Sequence, residues 1–200
     1  MNIDHLRSNG YIAQVERQPK RVDYSQLLAL GRELLLAIGE DPDREGLRET
    51  PRRWADAWRE FIEYDPGTTE TTFSSMASEQ LVCVSGIRAA SLCEHHLLPF
   101  WCDVSIGYIP DEKVLGLSKF ARIAQQFAHR LQLQERLGEQ IADEISRITG
   151  TQNVAVVLKG EHYCMTARGI RMPGRMTSSV MRGVFRTESQ TRMEFLRLIE

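Results

Sequence analysis

From Tyr24 the apolar positions recur at Leu27, Leu30, Leu34 and Ile38, the spacing of one helix face, and Gly39 stands where a C-terminal cap belongs. Residues 1–22 before this helix are polar and show no sustained period, so they read as an arm that is disordered or ordered only by packing on a partner. Beyond the connector DPDREGLRETP, Thr50 and Pro51 supply an N-cap and a proline at the first helical position, and Trp54, Trp58, Phe61 and Ile62 continue one apolar face. After Asp65-Pro66-Gly67 the period shortens. Leu81 to Val84 is a short apolar run, and Cys102, Val104, Ile106 and Tyr108 alternate with Asp103, Ser105 and Gly107 until Pro110 ends the strand. Two helices are expected next, one starting near Ser118 and one near Gln134. A strand pair over Asn153–Leu158 and Glu161–Arg168, joined at Lys159-Gly160, and an amphipathic piece from about Ser189 to Ile199 complete the chain. Helices, strands, two helices and two strands in that order predict an α+β fold with an antiparallel sheet and packed helices, preceded by an N-terminal helical region. The expected divisions are the arm at 1–22, the helical region at 23–66 and the sheet-bearing domain at 67–200.

Composition narrows the function classes. The 200 residues are 42% hydrophobic and 26% charged, enough for one fair-sized core. A formal net charge of −2 offers no global attraction to nucleic acid or to an anionic membrane, so a polyanionic ligand would need a local basic cluster. One exists: Lys159, Arg168, Arg171, Arg175, Arg182 and Arg186 stand against the single acid Glu161 in that stretch. The first residues lack the apolar core of a signal peptide, and no stretch is apolar enough to span a bilayer. The expectation is therefore a cytoplasmic protein with no membrane or nucleic-acid partner. In that setting the four cysteines, Cys83, Cys93, Cys102 and Cys164, make a disulfide framework improbable and raise metal binding as a test.

Cys93-Glu94-His95-His96 places a thiol and an imidazole three positions apart, close enough for one turn to offer two ligands to one zinc ion. His162-Tyr163-Cys164 adds two more metal-competent side chains two positions apart, a spacing that in a strand puts both on one face. Buried structural cysteines with internally satisfied histidines would explain either cluster alone, but less readily both together. Two cysteines and one histidine would leave a fourth tetrahedral position for water, whose pKa the metal lowers to about 7. A closed site using a second histidine is the rival arrangement. Cys83 and Cys102 read as core or strand residues.

The strings SLCEHHLLPF, YIPDEKVLGLSKFARI, LQLQERL and HYCMTARGI, with EDPDREGLRETPRR upstream, resemble the GTP cyclohydrolase I family over about residues 24–200. That resemblance implies a tunnelling fold (T-fold) for residues 67–200, with Zn2+ held by Cys93, His96 and Cys164 and acid–base roles for His95 and His162. It implies GTP as substrate, hydrolysed to 7,8-dihydroneopterin triphosphate and formate as the first step of tetrahydrofolate and pterin biosynthesis. It further implies a homo-oligomer, a toroidal decamer with active sites at subunit interfaces. Ser118, Lys119, Arg168 and, from a neighbouring subunit, Arg122 match phosphate-binding positions, and Gln134 and Glu135 match positions that contact the base. Cys102, Asp103 and Gly160 depart from the family's usual glycine, basic residue and alanine.

Elementary chemistry supports several of these assignments. Ser118 and Lys119 open a helix, where free backbone N–H groups and the helix dipole favour a phosphate chain, although a plain Ser cap beside a solvated Lys would look the same. Guanidinium forks such as those of Arg122 and Arg168 suit phosphate. One carboxylate at Glu135 could accept both the N1–H and N2–H of guanine, while the helix dipole alone would also favour an acid there. A related tunnelling-fold enzyme for a pterin or deazapurine precursor would lack the zinc set or the Ser118-Lys119 pair, and a zinc-stabilised binding module would close its ligand shell.

Overall fold

The computed structural model describes residues 21–74 and 80–200, so the expected arm at 1–22 lies almost wholly outside the described residues. The described residues divide into two compact units, one ending at Glu63 and one beginning at Tyr64. In the first, α1 (Tyr24–Ala37) begins where the Asp23 carboxylate accepts the backbone N–H of Gln26 at 2.9 Å. It closes through Gly39, whose φ of +85° lets the next amide, Glu40, turn back to the Leu35 carbonyl at 2.9 Å. α2 spans Thr50–Ile62; its cap residue is Glu49, so Thr50 is already helical and Pro51 sits one place deeper than the sequence pattern suggested. The proline is still harmless, because amides of the first turn lack intrahelical acceptors. The apolar face read from Leu27, Leu30, Leu34 and Ile38 is not the one α1 buries: Gly31 and Leu35 are buried, while Leu30, Leu34 and Ile38 are exposed. The cause is close approach. A Cβ on Gly31 would lie 3.1 Å from the Pro51 Cα, so the two helices touch where a side chain is missing and not where the leucines are.

The second unit is built on a five-stranded sheet in the order β5-β2-β3-β6-β7, with a separate β1–β4 pair. The strands are β1 (Thr72–Ser74), β2 (Val82–Cys93), β3 (Pro99–Tyr108), β4 (Lys113–Leu115), β5 (Leu131–Gln132), β6 (Val154–His162) and β7 (Arg175–Met181). All ladders are antiparallel except β2 with the short β5. α3 (Leu117–Ala128) packs on β2 and α4 (Gln134–Thr149) on β6, burying Phe120, Ile123 and Phe127 from one helix and Leu137, Ile141 and Ile145 from the other. Two short helices, α6 (Val184–Thr187) and α7 (Ser189–Leu198), follow β7 after the one-turn α5 (Tyr163–Thr166). Ala155 and Val157 of β6 pack with Phe185 and Phe195 from this end, and Leu158 of the same strand lies against Gly138 of α4. With both faces covered, β6 reads as a continuous apolar run. Phe195 fits because position 107 has no side chain: a Cβ there would lie 2.6 Å from its ring. This is the α+β tunnelling fold that the resemblance implied.

Two strand readings need correction. β2 runs on from Val82 to Cys93, far beyond Val84; Ser85 and Gly86 interrupt its pattern at a register shift between Val84 and Ile87, where Gly86 takes a φ of +73°. Lys159-Gly160 is no turn. β6 passes straight through it to His162, with Gly160 opposite Cys102 on one side and Met176 on the other, and the partner strand is β7. Glycine stands in mid-strand to leave room for a side chain of α4: a Cβ at Gly160 would fall 2.0 Å from the Gln134 Oε1. Among the described residues no helix is long and apolar enough to cross a membrane.

Candidate metal centre and active site

Cys93 is the last residue of β2, and the chain reverses immediately after it. The Cys93 amide donates to the Leu98 carbonyl at 2.8 Å, the Leu97 amide donates back to the Cys93 carbonyl at 2.8 Å, and Leu97 adopts a left-handed φ of 55° to close the turn. From the side, the Glu94 amide donates to the Gln132 carbonyl at 3.1 Å, and Arg136 of α4 bonds both the Glu94 carboxylate and, at 2.7 Å, the Gln132 Oε1. This bracing presents His96 beside Cys93, with the sulfur and the imidazole Nδ1 3.6 Å apart. The exposed ring of His95 lies across that of His96, centroids 6.1 Å apart.

The second part of the cluster comes from the far end of β6. The strand stops at His162 and the chain winds into α5, held by the Thr166 hydroxyl donating to the His162 carbonyl at 3.3 Å and the Ala167 amide to the Tyr163 carbonyl at 2.9 Å. Cys164 therefore sits on a helical turn and not in the strand expected for it, and His162 and Cys164 do not share a strand face. The winding carries the Cys164 sulfur toward the turn after β2, so that the ligand atoms of Cys93, His96 and Cys164 all lie within 4.8 Å of one another.

These residues fit a zinc ion on two grounds. Thiolate and imidazole ligands of one tetrahedral zinc, bonded at about 2.3 and 2.0 Å, stand about 3.5 Å apart, close to the Cys93–His96 separation. The Cys164 thiol is pushed up by burial and then by the neighbouring Cys93 sulfur, a juxtaposition that disfavours two thiolates unless a cation joins them.

Around the cluster, the Arg168 guanidinium donates to the His96 Nε2 at 3.1 Å, bringing one of the expected phosphate-binding residues against a ligand. His162 lies half-buried and flat against Phe100, ring centroids 4.6 Å apart and 8° from parallel. Burial lowers its pKa, and the Glu135 carboxylate opposes that shift. Gln134 is buried under the ring, its Oε1 2.9 Å from the His162 Nε2. Ser118, Lys119 and Arg122 stand together on the first turns of α3, behind a cap that is Gly116 rather than Ser118. Within the chain they do not join the cluster: Lys119 donates to the Thr68 carbonyl at 2.8 Å and Arg122 to that of Pro66. Sequence reasoning passed over Glu94, Gln132 and Arg136; the acid inside the Cys–His string, and an Arg four positions after a Gln at a helix start, were the available signals.

Residues 29–200 match the family model for GTP cyclohydrolase I. The chain belongs to the GTP cyclohydrolase I family. It is 50% identical over 187 residues to the GTP cyclohydrolase 1 of Corynebacterium glutamicum, covering 90% of this chain and 95% of that one. It is 47% identical to the GTP cyclohydrolase 1 of Hyperthermus butylicus, over 90% of this chain and 92% of the relative, and 45% identical to that of Aquifex aeolicus, over 90% and 98%. A solved structure of archaeosine synthase QueF-Like in the apo form overlays with a TM-score of 0.41 at 22% identity, covering 51% of this chain and 94% of that chain. For this GTP cyclohydrolase I family member, the Cys–His–Cys cluster is where two of the quoted motifs, SLCEHHLLPF and HYCMTARGI, meet.

Proposed function

We propose that the chain is a zinc-dependent GTP cyclohydrolase I, hydrolysing GTP to 7,8-dihydroneopterin triphosphate and formate at the cluster of Cys93, His96 and Cys164. The observation that carries this reading is the convergence of three ligand atoms from two distant segments within 4.8 Å, in a member of a family whose curated relatives bear that enzyme's name. Zinc held by Cys93, His96 and Cys164 would supply Lewis acidity for hydrolysis at the guanine C8 near neutral pH. His162, set rigidly on Phe100, delivers a proton to the opening imidazole ring, and exposed His95 serves as the second acid–base group. Glu135 accepts the guanine N1–H and N2–H, so an adenine base would leave its carboxylate unpaired. Ser118, Lys119, Arg122 and Arg168 hold the triphosphate, the three residues of α3 reaching it from a second subunit.

The roles of Ser118, Lys119 and Arg122 need another copy of the chain, because these residues share the first turns of α3 and do not join the cluster within one chain. β7 pairs only with β6 among the described residues and so presents a free edge, which supports assembly into a closed homo-oligomer, a decamer by family resemblance. The catalytic unit is then the tunnelling-fold region 67–200, which follows the helical region 23–66 in the sequence, in the cytoplasm, with no nucleic-acid or membrane partner. The test is to incubate the zinc-loaded protein with GTP and follow formate together with a pterin made fluorescent by oxidation. Stoichiometric formation of both is expected; a zinc-loaded oligomer that forms neither overturns the reading.

A further inference from the structure

The amide of Gln134 has a surplus of partners on one end and a shared task on the other. Its nitrogen lies 3.2 Å from the Leu158 carbonyl, 3.0 Å from the Met176 carbonyl and 3.1 Å from the Ser178 hydroxyl. Two of these are backbone carbonyls, which only accept, so the NH2 end must face the strands and the amide cannot be flipped. Its oxygen consequently faces the His162 Nε2 at 2.9 Å and the Cys102 sulfur at 3.6 Å. An amide oxygen only accepts. The nitrogen of His162 that meets it must therefore carry the proton, which leaves Nδ1 as the basic nitrogen of the neutral ring.

We propose that Gln134 is a positioning residue that locks His162 in the Nε2–H tautomer and in one ring orientation, so that Nδ1 is the nitrogen available for proton transfer to and from the substrate. This gives Gln134 a task different from base contact, and it rests on the reading of His162 as a proton-transferring group. The packing is specific to that task. Gln134 is buried, and the space its oxygen occupies exists only because residue 160 is glycine. Cys102, the cross-strand neighbour of Gly160, closes the slot from below: a Cβ on residue 160 would also approach its sulfur to 3.0 Å. Burial pushes the Cys102 thiol up to about 12, so it stays S–H and is a second donor to the same oxygen, never a competing acceptor for the His162 proton. Phe100 stacks on the ring from one side, so the hydrogen bond and the stacking together fix both rotation and proton position.

The experiment is magic-angle-spinning NMR of the zinc-loaded enzyme labelled with 15N-histidine, at mildly alkaline pH, with the His162 signals assigned by their loss in His162→Asn. The wild type should show a protonated Nε2 and an unprotonated Nδ1 at His162. Gln134→Met keeps the length but removes the acceptor. It should give mixed tautomers, unchanged zinc content and kcat lower by about 10–100-fold, the size usual for an orienting partner, with KM for GTP moving less than about threefold. Gly160→Ala, which drives a methyl into the Gln134 oxygen, should reproduce the tautomer mixing by an independent route. An Nδ1–H tautomer in the wild type overturns the proposal whatever the variants do, and so does a Gln134→Met enzyme that keeps kcat and the Nε2–H signal while KM rises. Should the wild type fail to turn over GTP, the functional reading falls, but the tautomer comparison still decides the role of Gln134.

Discussion

The two segments that meet at the candidate metal centre are held in different ways. The turn after β2 is tied at four amides, those of Cys93, Glu94, His96 and Leu97, which donate to the Leu98, Gln132 and Cys93 carbonyls, and Arg136 ties it to α4. The segment after β6 is secured at its root, where His162 rests on Phe100 and Gln134, and much less beyond it. Beyond His162 it has one helical turn, an edge contact between Tyr163 and Trp101 at 5.1 Å, the Arg168 guanidinium on the His96 Nε2 at 3.1 Å and a 3.3 Å link from the Met172 amide to the Met165 carbonyl, with Ile170 and Met172 exposed. One side is preorganised and the other is loosely hung. A bound ion would therefore order the second more than the first, and chelation should raise amide exchange at 163–172 while leaving 93–98 nearly unchanged.

Removing a ligand is the harshest way to break that contrast. Cys164→Ala should lose zinc and more than about 100-fold in formate release, beyond the 10–100-fold typical of partners behind the ligands, and metal analysis with a formate assay reads both. Exchange should then rise at 163–172 alone; an equal rise at 93–98 would show that the ion holds both sides. His162→Ala acts at the secured root. It should keep the zinc and lose about 10²–10⁴-fold in turnover, the range for a general acid or base, whereas equal metal loss would move His162 into the ligand set. Arg136→Met attacks the bracing and should weaken zinc affinity by about 10–100-fold with turnover preserved at saturating metal, measured by competition with a chromogenic chelator. The smallest change is expected at Leu97. Gly there removes a left-handed strain of about 1–3 kcal/mol against an entropy cost of about 0.5–1 kcal/mol, so Leu97→Gly should raise the apo stability by about 1 kcal/mol in denaturant unfolding.

How far the sequence could be read follows from the same particulars. α3 and α4 were legible because their apolar positions keep one period and sit under a sheet, and the Cys–His spacing was legible because Cys93 and His96 are served by a single turn. The fate of Cys164 was not, since neither periodicity nor spacing reports that β6 ends at His162 and winds into a helix. Gly160 misled because glycine in a strand looks like punctuation until the side chain it makes room for is known, and that side chain, Gln134, lies on another element. Gly31 did the same in α1, where closeness of backbones outranked the leucine stripe. The two glycine failures occur where a missing side chain defines the contact, and residue patterns encode only side chains that are present.

The ring of Phe195 lying on bare backbone at Gly107 makes α7 part of the interior of the sheet unit and not an appendage. Stripping it away would bare Ala155 and Val157 along the middle of β6, turning a dry face into a contiguous sticky surface on a strand whose other end carries His162. Damage at this distant helix would accordingly be seen first as insolubility, with the surviving soluble molecules still able to bind metal.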